Sequence, residues 1–135
     1  MNRLLLLVII PLGIGILYYY FLREPIVVFS WLGSSNFYIP SSITQYFDFL
    51  PTFVHVFSFS LLTWWALDKS YEKTSVLIWV IINLIFEIGQ ALPHKYLIYF
   101  PDIIKSYCIN GTFAYDDMIS IFVAGGVAYW VMRRL

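Results

Sequence analysis

The strongest constraint on the fold of this chain comes from four long apolar runs, at residues 4–22, 50–67, 74–92 and 115–132. An α-helix rises 1.5 Å per residue, so a run of this length covers roughly 27 Å, close to the hydrocarbon thickness of a bilayer. The runs predict an all-α membrane protein, a small bundle of four transmembrane helices that forms one domain over residues 1–135. The first run lacks a small-residue cleavage site, so it is interpreted as a retained helix and not as a signal peptide.

The composition of the chain excludes several classes of protein. Hydrophobic residues make up 61% of the sequence and charged residues 12%, and a soluble domain of 135 residues could not bury so many apolar side chains. The net charge is zero and the eight Lys and Arg residues are scattered, which argues against nucleic acid as a partner. The predicted partners are membrane lipids or other membrane protein chains. The single cysteine, Cys108, excludes an intrachain disulfide.

Turn-forming residues divide the apolar runs. The stretch 24–49 contains prolines, glycine and serines among short apolar pieces, and it predicts an interfacial or re-entrant loop between helices 1 and 2. Pro51 lies in the first turn of helix 2, and Pro93 is expected to end helix 3. Residues 93–114 are predicted to form a second loop. The short connector 68–73 makes helices 2 and 3 antiparallel neighbours.

The distribution of positive charge near the helix ends predicts the orientation in the membrane. If the N-terminus is cytoplasmic, five basic residues face the cytoplasm and three face outward. The first group is Arg3, Lys69, Lys73, Arg133 and Arg134, and the second is Arg23, Lys95 and Lys105. Both termini are therefore expected in the cytoplasm, with the two long loops outside.

Helix 3 carries a stripe of polar residues where an apolar surface is expected. Asn83, Glu87 and Gln90 are spaced by four and three residues, so they lie on one face of the helix. A carboxylate at the bilayer centre costs about 2.5–3.5 kcal/mol on insertion scales, so this face is expected to point into the bundle. Amides also hold membrane helices together by interhelical hydrogen bonds, and Asn83 and Gln90 fit that structural role as well.

Two other helices carry polar residues at a similar level. His55 lies one turn after Pro51 in helix 2, and Asp116 and Asp117 open helix 4, where one of them could instead serve as the N-cap. Together the three helices predict a polar binding pocket that opens toward the outer leaflet, with these candidate residues: His55, Glu87, Gln90, Asp117, Asp116 and Asn83. No metal ion and no cofactor are predicted.

The order of these motifs resembles the VanZ-like membrane proteins. Their pattern has a His in one helix, E-x-x-Q at the end of the next, then a Pro and a basic residue, and D-x-x-x-N before a helix of small residues. This chain has His55, Glu87 with Gln90, Pro93 and Asp117 in that order, over about residues 50–132. It departs from the pattern with Ile121 at the Asn position, Lys95 where Arg is common, and Ala124 and Ala128 at positions usually held by Gly.

The resemblance implies a multi-pass protein of the bacterial cytoplasmic (inner) membrane, in a cell-envelope family linked to glycopeptide (teicoplanin) resistance. Three functions fit the residues: binding of a lipid headgroup or amphiphile in the polar pocket, a structural subunit of a larger membrane complex, or a membrane-embedded enzyme acting on a lipid-linked substrate. In the enzyme, Glu87 or Asp117 would act as general base with His55 as acid or ligand, or all three would hold a divalent ion. Neither G-x-S-x-G nor H-E-x-x-H occurs in the sequence, which favours binding over catalysis.

Overall fold

The computed structural model describes residues 3–22 and 45–135. The described residues form helices and no strands, which confirms the all-α class for this part of the chain. A short 3-10 turn at Gln45–Phe47 precedes the second helix, and the six α-helices are α1 Arg3–Leu22, α2 Leu50–Ala66, α3 Glu72–Ala91, α4 His94–Leu97, α5 Asp102–Asn110 and α6 Tyr115–Met132. Most of the loop predicted at 24–49 lies outside the described residues.

The bounds of the long helices follow from local sequence signals. Pro51 occupies the first turn of α2, where its missing N–H costs no helical hydrogen bond. Helix α3 ends at Ala91, and Leu92 has extended backbone angles, φ −75° and ψ 140°, as expected for a residue that precedes proline. The predicted bounds of all four long helices differ from the observed ones by two residues or fewer.

The segment 93–114 was predicted as a loop, and this prediction is wrong. It contains α4 and α5, each of which follows a proline with extended ψ: Pro93 at ψ 137° and Pro101 at ψ 146°. Proline stops a preceding helix, but its fixed φ also suits the residue that leads into a new one. Asp102 then stands in the first turn of α5, where a carboxylate interacts favourably with the helix dipole.

The four long helices pack as a bundle with α2 in contact with α1, α3 and α6, while α6 also packs on α3. Tyr18 near the end of α1 donates to Asp48 just before α2, and Thr63 near the end of α2 accepts from Trp79 of α3, so both pairs are antiparallel. Thr52 and Asp117 join the starts of α2 and α6, which run parallel.

This arrangement gives the bundle two distinct ends. The connector end holds the start of α1, the end of α6 and the short α2–α3 connection at residues 67–71. The polar end holds the starts of α2 and α6, the last turns of α1 and α3, and the pair α4–α5, which packs on α3.

Small residues bring α3 and α6 close together. A Cβ atom at Gly125 of α6 would lie 2.8 Å from Val80 Cγ2 and 3.2 Å from Val76 Cγ1, both on α3. Ala124 and Ala128 on either side of this contact are completely buried. The interior of the bundle is completed by large apolar side chains of α2 and α6, including Val56, Leu61 and Ile121.

The outer faces of the bundle are apolar. On α3 the exposed side chains include Ile81, Ile85 and Ile88, and α1 and α6 also expose large apolar residues. Within the described ranges, α3 is the one helix long and apolar enough to cross a membrane by length and composition, and only 22% of its apolar window is buried in the protein. The apolar stretches Arg3–Tyr18 of α1 and Leu50–Ala66 of α2 are shorter, and two aspartates stand in the first turn of α6.

Candidate functional site

The polar stripe of α3 faces the interior of the bundle. Asn83 is 8% exposed and Glu87 is 6% exposed, whereas Ile81, Ile85 and Ile88 on other faces of the same helix are about half exposed or more. Helical periodicity explains the contrast, because residues four apart share a face. The burial of Asn83 and Glu87 is the arrangement that the spacing of the stripe predicts.

The register between α3 and α6 places Glu87 near the start of α6. Val80 faces Gly125 across the close contact of these antiparallel helices. Seven residues further along α3 is Glu87, and seven residues back along α6 is Met118, so the two lie at about the same height in the bundle. Asp117 precedes Met118. The carboxylates of Glu87 and Asp117 therefore belong to one level of the polar end.

Two hydrogen bonds fix the start of α6 against the start of α2. Thr52 Oγ1 donates to Asp117 Oδ1 at 3.0 Å, and Ser120 Oγ donates to the carbonyl oxygen of Phe49 at 3.1 Å. Asp117 is therefore held by a neighbouring helix, and its orientation toward the bundle is set by Thr52.

Neither aspartate is the N-cap of the last helix, which corrects one of the two roles considered for them. The N-cap position of α6 is Ala114, which makes no side-chain capping bond, and Asp116 and Asp117 stand inside the first turn. Their charges still interact favourably with the N-terminal end of the helix dipole. A capping role assigned from residue type alone misplaced the N-cap by two to three residues.

A cavity of about 390 Å³ lies at the polar end between the segment before α2 and the start of α6. Its lining residues are Tyr46, Asp48, Phe49, Ala114, Asp116 and Asp117. Of the six residues predicted for the pocket, Asp116 and Asp117 line this cavity, and the other four do not.

Sequence reasoning missed Asp48, the third carboxylate of the cavity. Asp48 Oδ1 accepts a hydrogen bond of 2.7 Å from the hydroxyl of Tyr18 on α1. The residue stands in a stretch without helical or strand periodicity, so no local pattern distinguishes it from an ordinary loop aspartate. Its position becomes apparent only from the packing of α6 beside α2, which brings it opposite Asp116 and Asp117.

His55 lies at the outer edge of the contact between α2 and α3. Its ring packs edge-on against Phe59, with centroids 4.6 Å apart, and 5.7 Å from the ring of Trp79. It also bonds to the side chain of Asn83, and more than a third of its surface is exposed. His55 thus joins α2 to α3 at the polar end, on a different side from the cavity.

Gln90 lies against the loop that follows α5. A Cβ atom at Gly111 would lie 2.5 Å from Gln90 Cδ, so a larger residue there would have to displace this flexible amide. One position earlier, Gly89 approaches Cys108 of α5 so closely that a Cβ would lie 2.8 Å from its sulfur. Burial raises the pKa of the Cys108 thiol. This end of α3 therefore serves to hold α5.

The residues predicted to form one pocket lie in separate but neighbouring places at the polar end. Asp116 and Asp117 line the cavity with Asp48, Glu87 is buried at the same level, and the His55–Asn83 pair lies across the α2–α3 contact. Three carboxylates around one cavity create a negative potential that favours a cationic group. Among the described residues, no three His, Cys, Asp or Glu side chains are grouped so that they could hold a metal ion.

The sequence and structure of the chain were also compared with known proteins. No protein-family model, no curated protein and no solved structure matches it. The resemblance to VanZ-like proteins therefore depends on the motif residues named above, and it stays a prediction.

Proposed function

We propose that this protein is a multi-pass membrane protein whose polar end binds the headgroup of a lipid or another amphiphile. The observation that carries the proposal is that polar side chains are buried in the bundle while large apolar side chains are exposed. Asn83, Glu87 and Ser120 are buried, whereas Ile81 and Ile85 of α3 are exposed. A soluble bundle buries the apolar face of each helix and exposes the polar one. The opposite arrangement is favourable when lipid surrounds the bundle.

The lengths of the four bundle helices are compatible with crossing a bilayer. They contain 20, 17, 20 and 18 residues, which corresponds to about 26–30 Å at 1.5 Å per residue. In this proposal all four cross the membrane, both termini are cytoplasmic, and the polar end faces the outer leaflet. The two aspartates in the first turn of α6 would then lie at the level of the headgroups, where charged groups stay hydrated.

The charge of the cavity suggests which kind of headgroup it binds. Asp48, Asp116 and Asp117 are complementary to an amine, and the rings of Tyr46 and Phe49 provide aromatic surface beside it. A lipid or amphiphile that carries a primary or substituted amine is therefore the proposed ligand. The motif residues shared with VanZ-like proteins, Glu87 and Asp117 among them, belong to the same end, which supports a role in the bacterial cell envelope and in glycopeptide (teicoplanin) resistance.

Native mass spectrometry of the purified protein with short-chain phospholipids tests this function. Phosphatidylethanolamine, which has an amine, is expected to bind about tenfold more tightly than phosphatidylglycerol, which has none, a difference of about 1.4 kcal/mol. Asp117→Asn and Asp116→Asn should remove this preference, because each deletes one negative charge of the cavity. Equal binding of the two lipids to the wild-type protein would contradict the proposal.

Asp68→Asn is the matched control for these variants. Asp68 is an exposed aspartate at the connector end with φ 52°, a left-handed conformation that Asn also adopts readily. The substitution removes the same charge far from the cavity, so the preference for phosphatidylethanolamine should persist. Loss of the preference in Asp68→Asn as well would show that it reflects net charge and not the site.

A further inference from the structure

The pair α4–α5 presents three chemically different faces. The first is directed at α3: Cys108 is buried against Gly89, and the ring of Tyr107 packs on Phe86 with centroids 5.1 Å apart. Leu97 of α4 is also buried. These contacts hold the pair against the last turns of α3, at the polar end of the bundle.

The second face is apolar and strongly exposed. Ile103 on α5 is 86% exposed, and Tyr99 in the turn between α4 and α5 is 84% exposed. Tyr107, four residues after Ile103, keeps 45% of its surface exposed beside its contact with Phe86. Ile98 and Phe100 are exposed beside them. Such a density of exposed aromatic and branched apolar side chains is unfavourable in water, but aromatic residues of this kind are enriched where a membrane meets water.

The third face is polar and runs parallel to the apolar stripe. Asp102, Ser106 and Asn110 follow one another at intervals of four residues, so they share one side of α5. All three are exposed, and Asn110 Nδ2 donates to Ser106 Oγ at 3.2 Å. A helix with neighbouring apolar and polar stripes has the pattern of a segment that lies in the plane of a membrane surface.

We propose that α4 and α5 lie in the headgroup layer of the bilayer at the polar end, with the stripe Tyr99–Ile103–Tyr107 in contact with lipid and the stripe Asp102–Ser106–Asn110 in water. The inference rests on the proposed membrane location of the bundle. It is supported by the exposed apolar side chains of α3, the helix on which α5 packs. Lys95, whose Nζ lies 4.9 Å from the ring centre of Tyr96, adds a cation at the level of the lipid phosphates.

This position of α5 would determine the depth of the proposed binding site. Glu87 lies four residues before the end of α3 at Ala91, hence about 6 Å along the helix from the turn that contacts α4. With α4–α5 in the headgroup layer, the carboxylates of the polar end lie at headgroup depth. An amphiphile could then reach them from the leaflet without leaving the membrane.

Spin labels at single cysteines test the proposal on the full chain, reconstituted in vesicles of phosphatidylethanolamine and phosphatidylglycerol. The variant Cys108→Ser, which lacks the native cysteine, is the starting protein for labelling. The serine hydroxyl is smaller than the thiol and fits the tight contact with Gly89. Cys108→Ala and the wild-type chain, whose cysteine is buried, are alternative backgrounds if that variant does not fold. Labels are placed at Ile103 and Tyr99 on the apolar stripe, at Asp102 and Ser106 on the polar stripe, and at Ile81 on the outer face of α3.

The measured quantity is the ratio of two collision rates of each spin label. One is its rate with oxygen, which concentrates in lipid, and the other is its rate with a water-soluble nickel complex. This ratio is expected to be several-fold higher at Ile103 and Tyr99 than at Asp102 and Ser106, and highest at Ile81. High nickel accessibility at both stripes, with a lipid-exposed Ile81, would overturn this inference and leave the proposed function intact. Exclusion of both reagents from Ile103 would show a protein contact and would overturn it too. Nickel accessibility at Ile81 would overturn both proposals.

Discussion

At the scale of single residues, the polar end is organised by hydrogen bonds between helices. The Thr52 hydroxyl orients Asp117, and the Tyr18 hydroxyl orients Asp48, so two of the three cavity carboxylates are held by residues on other helices. Hydrogen bonds to a charged acceptor are stronger than those between neutral groups. Each bond therefore links the shape of the cavity to the stability of the bundle.

Thr52→Val is expected to destabilise the protein by about 1–3 kcal/mol, because the isosteric side chain deletes a hydrogen bond to a partly buried carboxylate. The midpoint of thermal unfolding in mild detergent, followed by tryptophan fluorescence, measures the loss. Thr74→Val is the control, since Thr74 is exposed in the first turn of α3. Equal midpoints for Thr52→Val and the wild type would show that the bond contributes nothing.

The two adjacent glycines of α6 are expected to respond in opposite directions to alanine. At Gly125 a methyl group would meet Val80 at 2.8 Å, whereas at Gly126 nothing lies within 4 Å. Gly125→Ala should destabilise by about 1–3 kcal/mol through overpacking. Gly126→Ala should stabilise by up to about 1 kcal/mol, because alanine is the better helix former. Unfolding in the same detergent compares them, and equal effects would contradict the close approach of α3 and α6.

At the scale of secondary-structure elements, α2 and α3 form an antiparallel hairpin with a polar and aromatic contact between them. The rings of Phe59 and Trp79 stack at 4.7 Å, Trp79 Nε1 donates to Thr63 Oγ1 at 2.7 Å, and His55 and Asn83 continue the contact toward the polar end. Hydrogen bonds between helices are a main source of association in membranes, where lipid and apolar side chains are equally hydrophobic.

Trp79→Phe is expected to keep the stacked rings and to lose the hydrogen bond to Thr63, at a cost of about 0.5–1.5 kcal/mol. Circular dichroism on heating in detergent measures the change without relying on the deleted fluorophore. Trp130→Phe is a suitable comparison, because Trp130 is exposed on α6. If both variants unfold at the same temperature, the bond to Thr63 does not stabilise the hairpin.

The elements also show what sequence can and cannot predict. Long apolar runs define α1, α2, α3 and α6, because a helix of that length is the simplest way to satisfy their backbone groups. The spacing of Asn83 and Glu87 on one face of α3 predicts that this face is buried, since every other face of the helix is apolar. By contrast, α2 is apolar or aromatic on most sides, so its sequence does not show that His55 points outward. Short helices such as α5, bounded by proline, resemble loops in sequence.

At the scale of the whole molecule, the four long helices alternate in direction and form two chemically different ends. The connector end carries Arg3, Lys69, Lys73, Arg133 and Arg134, and the polar end carries the carboxylates of the cavity. In the proposed orientation these five basic residues lie on the cytoplasmic side, as the positive-inside rule favours. The cavity itself could not be predicted, because it forms where two segments distant in sequence meet, one before α2 and one at the start of α6.

The proposed orientation predicts that Ser70 and Ser106 lie on opposite sides of the membrane. In cells, single cysteines at these exposed positions, in the Cys108→Ser background, should differ in their reaction with a maleimide that cannot cross the membrane. Ser106→Cys should react in intact cells, and Ser70→Cys only after permeabilisation. Labelling of both in intact cells would contradict four crossings, and the reverse pattern would place the polar end in the cytoplasm.

The hydrogen bond between Tyr18 and Asp48 marks a point where the chain's tolerance of insertions changes. Before Asp48 an added residue costs little, whereas within α2 it disrupts the packing. The bond joins residues 30 positions apart, so contacts between α1 and the start of α2 hold the two ends of the intervening chain together. Doubling the number of residues between two contacting positions adds only about 0.6 kcal/mol of closure entropy, so changes of length between Tyr18 and Asp48 should be tolerated. One residue inserted within α2 would instead rotate all later side chains by about 100° relative to Thr52. Relatives should therefore differ in the number of residues between Tyr18 and Asp48, while they keep the three-residue spacings from Phe49 to Thr52 and from Asp117 to Ser120 that set the two hydrogen bonds between α2 and α6.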